Sequence, residues 1–490
     1  MQAASTVAQR SQYHHYVPRF ILRNYVDPKQ QPVVNTGNKK QKKNKQRRIQ
    51  QTRDFMLNVV NLQDVGLEQQ PLSQIFGVTD MYRDFDTSKP DQHYLEKELS
   101  KLESRAGEVL ANVRKAFDAG KGQIELLRGE RNDLRKFLFI MLYRNRMFQS
   151  RFNIPVEEYS ANDKEAMLAY MKEKNFTKPI DVWFSNIRAF LELKIVGNEN
   201  WMEKITSQAY PPDARWFFMY MQKSFLSFCT PKDPEDEFLL TQNAYSIYEG
   251  CTSERAWTDS HNFAPVSPKL IIVLRSLLLP NGFDEDEPER LELLEIAKSM
   301  HPNPEKVRSI LVDLPVTKAL NNYSKIVDQK YVLLPTKIRP ENHRFCFKFF
   351  PISTAHAQKI NSIMLEEALG TSALVYKTSL SLRRAVEAYF EDTDFKTMIK
   401  VPPFMESLLS SFATMHLPGQ GVHYKWTDTH GIPYLNTLKQ VARQLGSASV
   451  AKYTILDPNS PKNDFSNNDD FTKRYIRLGK LPTISRNILL

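Results

Sequence analysis

The sequence predicts an α+β protein that is predominantly α-helical, with a small β-sheet in its middle third. The helices follow from stretches in which apolar residues recur every three or four positions, the spacing of one helix face. The sheet follows from three short runs rich in β-branched and aromatic residues, at 237–241, 269–275 and 345–350. With 490 residues, the chain is long enough for about three domains or for one large helical body.

The longest predicted helix begins after Asp91 and ends near Gly120. Its apolar positions form one continuous stripe: Leu95, Leu99, Leu102, Ala106, Val109, Val113 and Phe117. A second helix is predicted from about Glu130, with an apolar stripe that residues 144–146 interrupt. Further helices are predicted near 163–174, 181–196, 213–228, 356–369, 380–391 and 403–415.

The character of the sequence changes around residue 231, where a run of proline and acidic residues is typical of a connector. A second change follows Gly446, beyond which residues 457–470 are dense in Asn, Asp, Ser and Pro. We therefore expect three parts. They are a mainly helical part at 1–230, a mixed α/β part packed on it at 231–445, and a loosely ordered tail at 446–490.

Composition narrows the function classes. Glycine is scarce, at 16 residues, and the sequence contains no Gly-x-Gly-x-x-Gly, P-loop or Gly-x-Ser-x-Gly motif, so no nucleotide-binding loop or nucleophile elbow is supported and the cofactor stays unknown. The longest uncharged apolar runs are too short to cross a bilayer, so we expect no membrane contact. Three widely spaced cysteines and the lack of a signal peptide predict a cytoplasmic or nuclear protein.

The net charge is +11, and seven of the positive charges lie at residues 39–48, interleaved only with Gln and Asn. Such a run buries no apolar surface and is expected to be a solvated loop. It is suited to nuclear import or to contact with the phosphates of nucleic acid or another polyanion. Its candidate anion-binding residues are Lys42, Lys43, Arg47 and Arg48. A solvated insertion without a ligand is an equally good interpretation.

The most distinctive stretch is residues 13–25, which contain two histidines, two arginines and four aromatic rings. Pro18 disfavours helix at the residue before it, so we expect residues 13–17 to be extended and a short helix to begin near Pro18. Adjacent side chains of an extended segment point to opposite sides, so only one of His14 and His15 faces any given site. A docked N-terminal strap with one core histidine would explain the same residues.

Three constellations could carry chemistry. The first joins the candidate catalytic residues His14 or His15 with Arg19, Arg23 and with Arg144 or Arg146, a set suited to acid–base work on a phosphodiester. The second is Asp181 with Glu192 and Lys194, the outline of a metal-dependent nuclease, although these residues lie in a predicted helix. The third is His423, Asp428 and His430, for which a surface hairpin is the better interpretation, so no metal ligand is assigned.

Several motifs occur in an order typical of one family. They are His15-Tyr16-Val17-Pro18-Arg19-Phe20, the stretches 77–84 and 94–103, and those at 137–144, 238–243 and 263–268. On these motifs the chain resembles the domain-of-unknown-function 4238 family over roughly residues 12–370, and it looks like the fungal members. The activity of this family is not established, so the resemblance implies organisation rather than a reaction. Where relatives usually carry Ser-Asp-Asn-Pro, this chain reads Thr241-Gln242-Asn243-Ala244, so a catalytic role of that aspartate would be lost here.

These features support two hypotheses from different classes. The first is a binding or scaffold protein that contacts nucleic acid or another polyanion through basic residues. The second is a phosphodiester- or phosphate-directed, nuclease-like enzyme that uses an N-terminal histidine and arginines. A basic binder would show a steep salt dependence and tolerate the loss of one histidine, whereas an enzyme would not tolerate that loss. The sequence is compatible with both an enzyme and a non-enzyme, and it predicts no particular protein partner.

Overall fold

The computed structural model describes residues 12–26, 33–34, 53–64, 66–83, 93–159, 161–195, 200–243, 261–280, 288–299, 309–328, 330–335, 338–392, 400–401, 432–451 and 453–455. The basic run at 39–48, the predicted helix at 403–415, the constellation at 423–430 and the acidic segment at 457–470 lie outside these residues.

Helices account for much of the described chain. Their bounds are α1 (Arg19–Leu22), α2 (Tyr94–Asp118), α3 (Arg128–Tyr143), α4 (Arg146–Ser150), α5 (Ala161–Lys174), α6 (Pro179–Glu192), α7 (Trp201–Gln208), α8 (Pro211–Gln222), α9 (Pro288–Ser299), α10 (Thr354–Glu367), α11 (Ser379–Glu391), α12 (Ile432–Gln444) and α13 (Ala448–Ala451). The predicted apolar stripe of α2 is buried up to Val113, and Gly120 adopts a positive φ of 71° just beyond the helix, as a C-terminal glycine should.

Strands occur from one end of the described chain to the other. Their bounds are β1 (Tyr13–His15), β2 (Val33–Val34), β3 (Arg53–Asp54), β4 (Met56–Asn61), β5 (Gly66–Pro71), β6 (Gly77–Thr79), β7 (Gln123–Leu127), β8 (Ser224–Pro231), β9 (Leu240–Thr241), β10 (His261–Ser267), β11 (Leu270–Ser276), β12 (Leu320–Asn321), β13 (Ser324–Val327), β14 (Lys330–Leu333), β15 (Arg344–Ile352), β16 (Ala373–Tyr376), β17 (Lys400–Val401) and β18 (Thr454–Ile455).

Two larger sheets organise the fold. The six-stranded sheet has the order β10-β11-β8-β15-β12, with β7 also pairing with β15, and the four-stranded sheet has the order β5-β4-β16-β9. Two-stranded pairings join β1 to β6, β2 to β3, β13 to β14 and β17 to β18. The neighbours β8 and β15 run parallel, and the other pairs are antiparallel.

The prediction of a predominantly α-helical protein with a small sheet in the middle third is wrong, although the chain does combine α-helices with β-sheets. The additional strands are not evident from the sequence because the strands with which they pair lie far away along the chain. β4 pairs with β16, which lies more than three hundred residues further along the chain, and β7 pairs with β15. Both larger sheets join strands from either side of residue 230, and the division into three parts stays a prediction.

The predicted helix at 213–228 is also wrong. Its first half forms α8, but the chain leaves the helix at Lys223 and enters β8. β8 lies between β11 and β15 in the six-stranded sheet, and residues 225–230 are all buried. β11 pairs with residues 224–229 and β15 with residues 228–231, and this pairing of a buried segment overrides its local helical pattern.

The six-stranded sheet separates two apolar cores. Ile272 and Leu274 of β11 pack in the core that also contains α2, α3 and α6, whereas Ile271 and Val273 pack in the core with α10, α11 and α12. Successive side chains of a strand point to opposite faces, so a strand covered on both faces must be apolar at nearly every position. This explains the continuous apolar run of β11.

Replacing Gly77 by alanine should destabilise the N-terminal pairing. A Cβ at residue 77 would lie 2.3 Å from Tyr13 Cε1 and 2.7 Å from the carbonyl oxygen of His14, so β1 would have to move. We expect a loss of about 1–3 kcal/mol, typical of overpacking, and faster proteolysis near the N-terminus. Gly66→Ala is the matched control, because no atom lies within 4 Å of a Cβ there. Equal melting temperatures for the two variants would contradict this expectation.

Candidate functional site

Backbone pairing holds the opening motif in place. β1 runs antiparallel to β6, with His14 opposite Val78 and His15 opposite Gly77, and the Tyr16 amide donates to the Phe76 carbonyl at 3.0 Å. The segment before Pro18 is therefore extended and a short helix follows it, as predicted from Pro18. The strap thus presents its two histidines to opposite sides.

Phe20 fixes the helix that follows β1 on the body of the protein. Its ring lies 5.8 Å from that of Phe137 on α3, and a Cβ at Gly107 on α2 would lie 3.4 Å from Phe20. The strap is therefore docked on α2 and α3. Both helices also contribute residues to the site described below.

His14 is buried, with 3% of its surface exposed. The Tyr82 backbone amide donates to its Nδ1 at 3.2 Å, and the two rings stack with centroids 5.3 Å apart. Because Nδ1 accepts, the proton of the neutral ring lies on Nε2, which is buried and has no hydrogen-bond partner among the described residues. Burial lowers the pKa of His14, with Asp80 opposing this effect and His93 adding to it. His14 therefore presents an unused donor.

His15 has the opposite tautomer. Its Nδ1 lies 3.0 Å from the Ile75 carbonyl oxygen, which only accepts, so Nδ1 carries the proton and Nε2 has the free lone pair. Burial lowers the pKa of His15; the Ile75 carbonyl and Asp54 raise it, and Arg19 and Arg144 lower it. A half-buried neutral imidazole, oriented by a carbonyl at Nδ1, is the arrangement of a general base.

Arg144 follows the last residue of α3 and is 1% exposed. Its Nη1 lies 2.5 Å from Glu103 Oε1 on α2, and its guanidinium carbon lies 5.8 Å from the centre of the Tyr82 ring. The remaining edge, formed by Nε and Nη2, is buried without a hydrogen-bond partner among the described residues. Burial lowers the pKa of Arg144, but Tyr82, Glu103 and Glu96 more than compensate, and it stays cationic.

Tyr82 and Glu96 complete the surroundings of Arg144. The Tyr82 hydroxyl is buried and unpartnered among the described residues, and burial raises its pKa far enough to keep it protonated. Burial and Glu103 raise the pKa of the half-buried Glu96, and Arg144 lowers it. Arg144 thus acts electrostatically on several groups at once. We call the following set the histidine–arginine cluster: His15, Tyr82, Glu96, Glu103 and Arg144.

The other predicted anion-binding residues are either exposed or outside the part of the chain that the structure describes. Arg19 is exposed and acts electrostatically on His15, and Arg23 is exposed on the same short helical segment. Arg146 begins α4, and its side chain lies outside the described part of the chain. Lys42, Lys43, Arg47 and Arg48 also lie outside it. Of the predicted arginines whose side chains the structure describes, Arg144 and Arg19 act electrostatically on His15.

Sequence reasoning missed Tyr82, Glu96 and Glu103. The two glutamates are seven residues apart, so they project from one side of α2 next to its buried stripe. Acidic residues at such positions need a buried partner, and Arg144 provides one. This spacing was the signal available in the sequence. Tyr82 had none beyond its place in the stretch 77–84.

Hydrogen bonds join other family motifs to one another, and one of these bonds involves the neighbour of Arg144. Asn145, the neighbour of Arg144, donates to Asn243 Oδ1 at 2.9 Å, and Asn24 of the opening motif donates to the Val266 carbonyl at 2.8 Å. Gln242 Oε1 accepts from the backbone amide of Ser372 at 2.8 Å and from its hydroxyl at 2.9 Å. A side-chain oxygen at residue 242 therefore joins two segments, a task that a glutamine performs without a charge.

The pattern of Asp181, Glu192 and Lys194, which resembled a metal-dependent nuclease, is explained by the contacts of its two carboxylates. Asp181 accepts hydrogen bonds from the amides of Thr177 and Lys178 and thereby caps α6, while Glu192 accepts one from the Tyr94 hydroxyl at 2.6 Å. Lys194 is exposed. Within the described residues, no group of three or more His, Cys, Asp or Glu side chains is arranged to hold a metal ion.

The family model described as a protein of unknown function, DUF4238, matches residues 13–379. Because the match covers more than half of the chain, this protein belongs to the DUF4238 family. Searches of the curated proteins and of the solved structures found no match. None of the described helices combines the length and apolar character needed to cross a membrane.

Acidification should destabilise the protein through the two histidines. Their folded-state pKa values lie below the unfolded value of 6.5, so the unfolded chain binds more protons as the pH falls below that value. The stability contribution is complete above pH 6.5 and is lost as the pH falls through the folded pKa values. His14→Asn keeps an acceptor for the Tyr82 amide but cannot titrate, so its melting temperature should fall less steeply between about pH 6.5 and about pH 5. Parallel curves for wild type and variant would refute this.

Proposed function

We propose that the histidine–arginine cluster binds a phosphate group and that the protein is a phosphodiester- or phosphate-directed enzyme. The observation that carries the proposal is the free edge of Arg144. Nε and Nη2 of one guanidinium point the same way, and this edge matches two oxygens of a phosphate or carboxylate. Buried donors without partners are costly in a finished protein, so their presence favours a ligand that accepts from them.

The donors of Arg144 and Tyr82 favour an oxyanion over a neutral ligand. The Tyr82 hydroxyl belongs to the ring that the Arg144 guanidinium lies near, and it is a further unpartnered donor among the described residues. The charge of Arg144 is already balanced by Glu103. The site therefore selects by directed hydrogen bonds rather than by a large net charge, which suits one phosphate in a defined orientation.

The proposed reaction uses His15 as the general base. Its Nε2 takes a proton from a water molecule that attacks phosphorus, the bond from phosphorus to the leaving oxygen breaks, and Arg144 stabilises the charge that develops on the phosphoryl oxygens. Glu96, whose pKa is raised by burial, is the group in the cluster suited to return a proton to the leaving oxygen. These roles are assigned from the tautomer of His15, the burial of Glu96 and the charge of Arg144.

Three finer assignments belong to the proposal. The order of the stretches 15–20, 77–84 and 94–103 supports placing the chain with the fungal members that carry the His-Tyr-Val-Pro motif. The basic run at 39–48 supports nucleic acid or another polyanion as the partner. The scarcity of cysteine supports a cytoplasmic or nuclear location. A binding or scaffold role without catalysis is the alternative, and the experiments below separate it from the enzyme.

Arg144→Lys tests the binding half of the proposal. Lysine keeps a positive charge beside Glu103 but lacks the two-nitrogen edge, so affinity for inorganic phosphate should fall by about tenfold or more, measured from phosphate-dependent thermal shifts. The matched control is Arg105→Lys, the same exchange in an exposed ion pair with Asp133. Unchanged phosphate affinity in Arg144→Lys would remove Arg144 from the site.

His15→Ala tests the catalytic half. Loss of a general base should lower kcat on bis(p-nitrophenyl) phosphate by about 10²- to 10⁴-fold, with little change in phosphate affinity or melting temperature, because His15 is only half-buried. His14→Ala is the comparison, since the buried ring should cost stability as well. Absence of turnover by the wild type, or lower stability of His15→Ala with unchanged phosphate affinity, would leave the binding role.

A further inference from the structure

A second group of arginines lies at the other end of α3. Arg128 is the first residue of this helix and Arg131 lies one turn further on. Both are half-buried against the start of β15 and the turn that follows β12. We define the arginine–aromatic face by the residues that meet there: Arg128, Arg131, Tyr323, His343 and Phe345.

The guanidinium groups of this face have neutral partners. Arg128 Nε donates to His343 Nδ1 at 3.1 Å, and His343 Nε2 in turn donates to the Ile338 carbonyl at 3.1 Å, which defines a neutral imidazole. Arg131 Nη2 donates to Asn132 Oδ1 at 3.0 Å. Among the described residues, no carboxylate lies within ion-pair distance of Arg128 or Arg131. Burial, followed by the charges of Arg135 and Arg128, lowers the pKa of Arg131 to about 9.

The positions of Arg128 and Arg131 are unfavourable for two reasons, the helix dipole and the loss of hydration. Two cations occupy the first turns of α3, where the helix dipole favours anions. Glu130, the acidic residue of the first turn, accepts from the Leu127 amide and forms no ion pair with either arginine among the described contacts. Partial burial adds a desolvation cost. Residues that break local rules in this way are expected where a ligand supplies the missing interaction. The missing interaction here is an anion.

Aromatic rings pack against both arginines of this face. The guanidinium carbon of Arg131 lies 4.0 Å from the centre of the Phe345 ring, and that of Arg128 lies 5.5 Å from the centre of Tyr323. The rings of Tyr323 and His343 stack with centroids 4.1 Å apart, and both residues are half-buried. Arginine together with accessible aromatic rings is the combination by which proteins contact the backbone and bases of single strands.

We propose that the arginine–aromatic face binds single-stranded nucleic acid. Arg128 and Arg131 contact phosphates, and the stack of Tyr323 on His343 receives a base. The proposal does not depend on the histidine–arginine cluster, because binding at this face is measured without turnover. It assigns the sequence-independent type of recognition, in which every base offers a face for stacking.

The test measures fluorescence anisotropy of a labelled oligothymidine about 12 nucleotides long, within the site sizes of single-strand binding folds. Arg131→Gln should weaken binding by about tenfold at low salt and reduce the salt dependence by about one phosphate contact. Arg215→Gln on α8 is the matched control, an exposed arginine that loses the same charge. Equal affinities of these two variants would overturn the proposal.

Two further measurements distinguish a nucleic-acid-binding role of this face from a purely structural role. The melting temperature of Arg131→Gln should equal or exceed that of the wild type, because an unneutralised cation is removed; a large decrease would identify Arg131 as a structural residue. An abasic oligonucleotide of the same length should bind more weakly than oligothymidine, and Tyr323→Ala should abolish that difference. Equal affinity of the wild type for both oligonucleotides would contradict a base on the Tyr323–His343 stack.

Discussion

The ion pair between the buried Arg144 and the partly exposed Glu103 is the constraint on which the candidate site depends. Removing the Arg144 cation from water costs several kcal/mol, and the attraction of Glu103 offsets this cost only when the geometry is good. The pair therefore requires α2 and α3 to lie side by side at this level. Because Arg144 also contacts Tyr82, and the Tyr82 amide donates to His14, the same constraint positions the segment after β6 and the strap.

A nearby polar network shows what a purely structural arrangement looks like. The Tyr143 hydroxyl donates to Asp213 Oδ2 at 2.6 Å, Asn186 donates to both residues at 2.8 Å, and Asn186 Oδ1 accepts from the Tyr210 amide at 2.8 Å. The polar side-chain atoms of these three buried residues all have partners. Those of His14, Tyr82 and Arg144 do not, although they are equally buried. Arg144 in particular leaves two adjacent guanidinium nitrogens, Nε and Nη2, without a partner among the described residues.

α3 connects the two groups of arginines. Arg128 begins the helix and Arg144 follows its end, so they are separated by about 24 Å at about 1.5 Å per residue. In between, the helix is almost completely buried by aromatic neighbours, with Phe139 contacting Phe190, Trp216 and Phe217. α3 is therefore a largely buried helix with an arginine group at each end.

The sequence by itself determined the features that depend on near neighbours. The apolar stripe of α2 and the extended segment before Pro18 follow from residues a few positions apart, and the family membership follows from the order of several short motifs. Only the tertiary structure decided that β8 is a central strand, that β4 pairs with β16, and that Tyr82, Glu96 and Glu103 join Arg144 near the histidines. The physical reason is that strand pairing and desolvation depend on groups tens to hundreds of residues away, which no local pattern of side chains records.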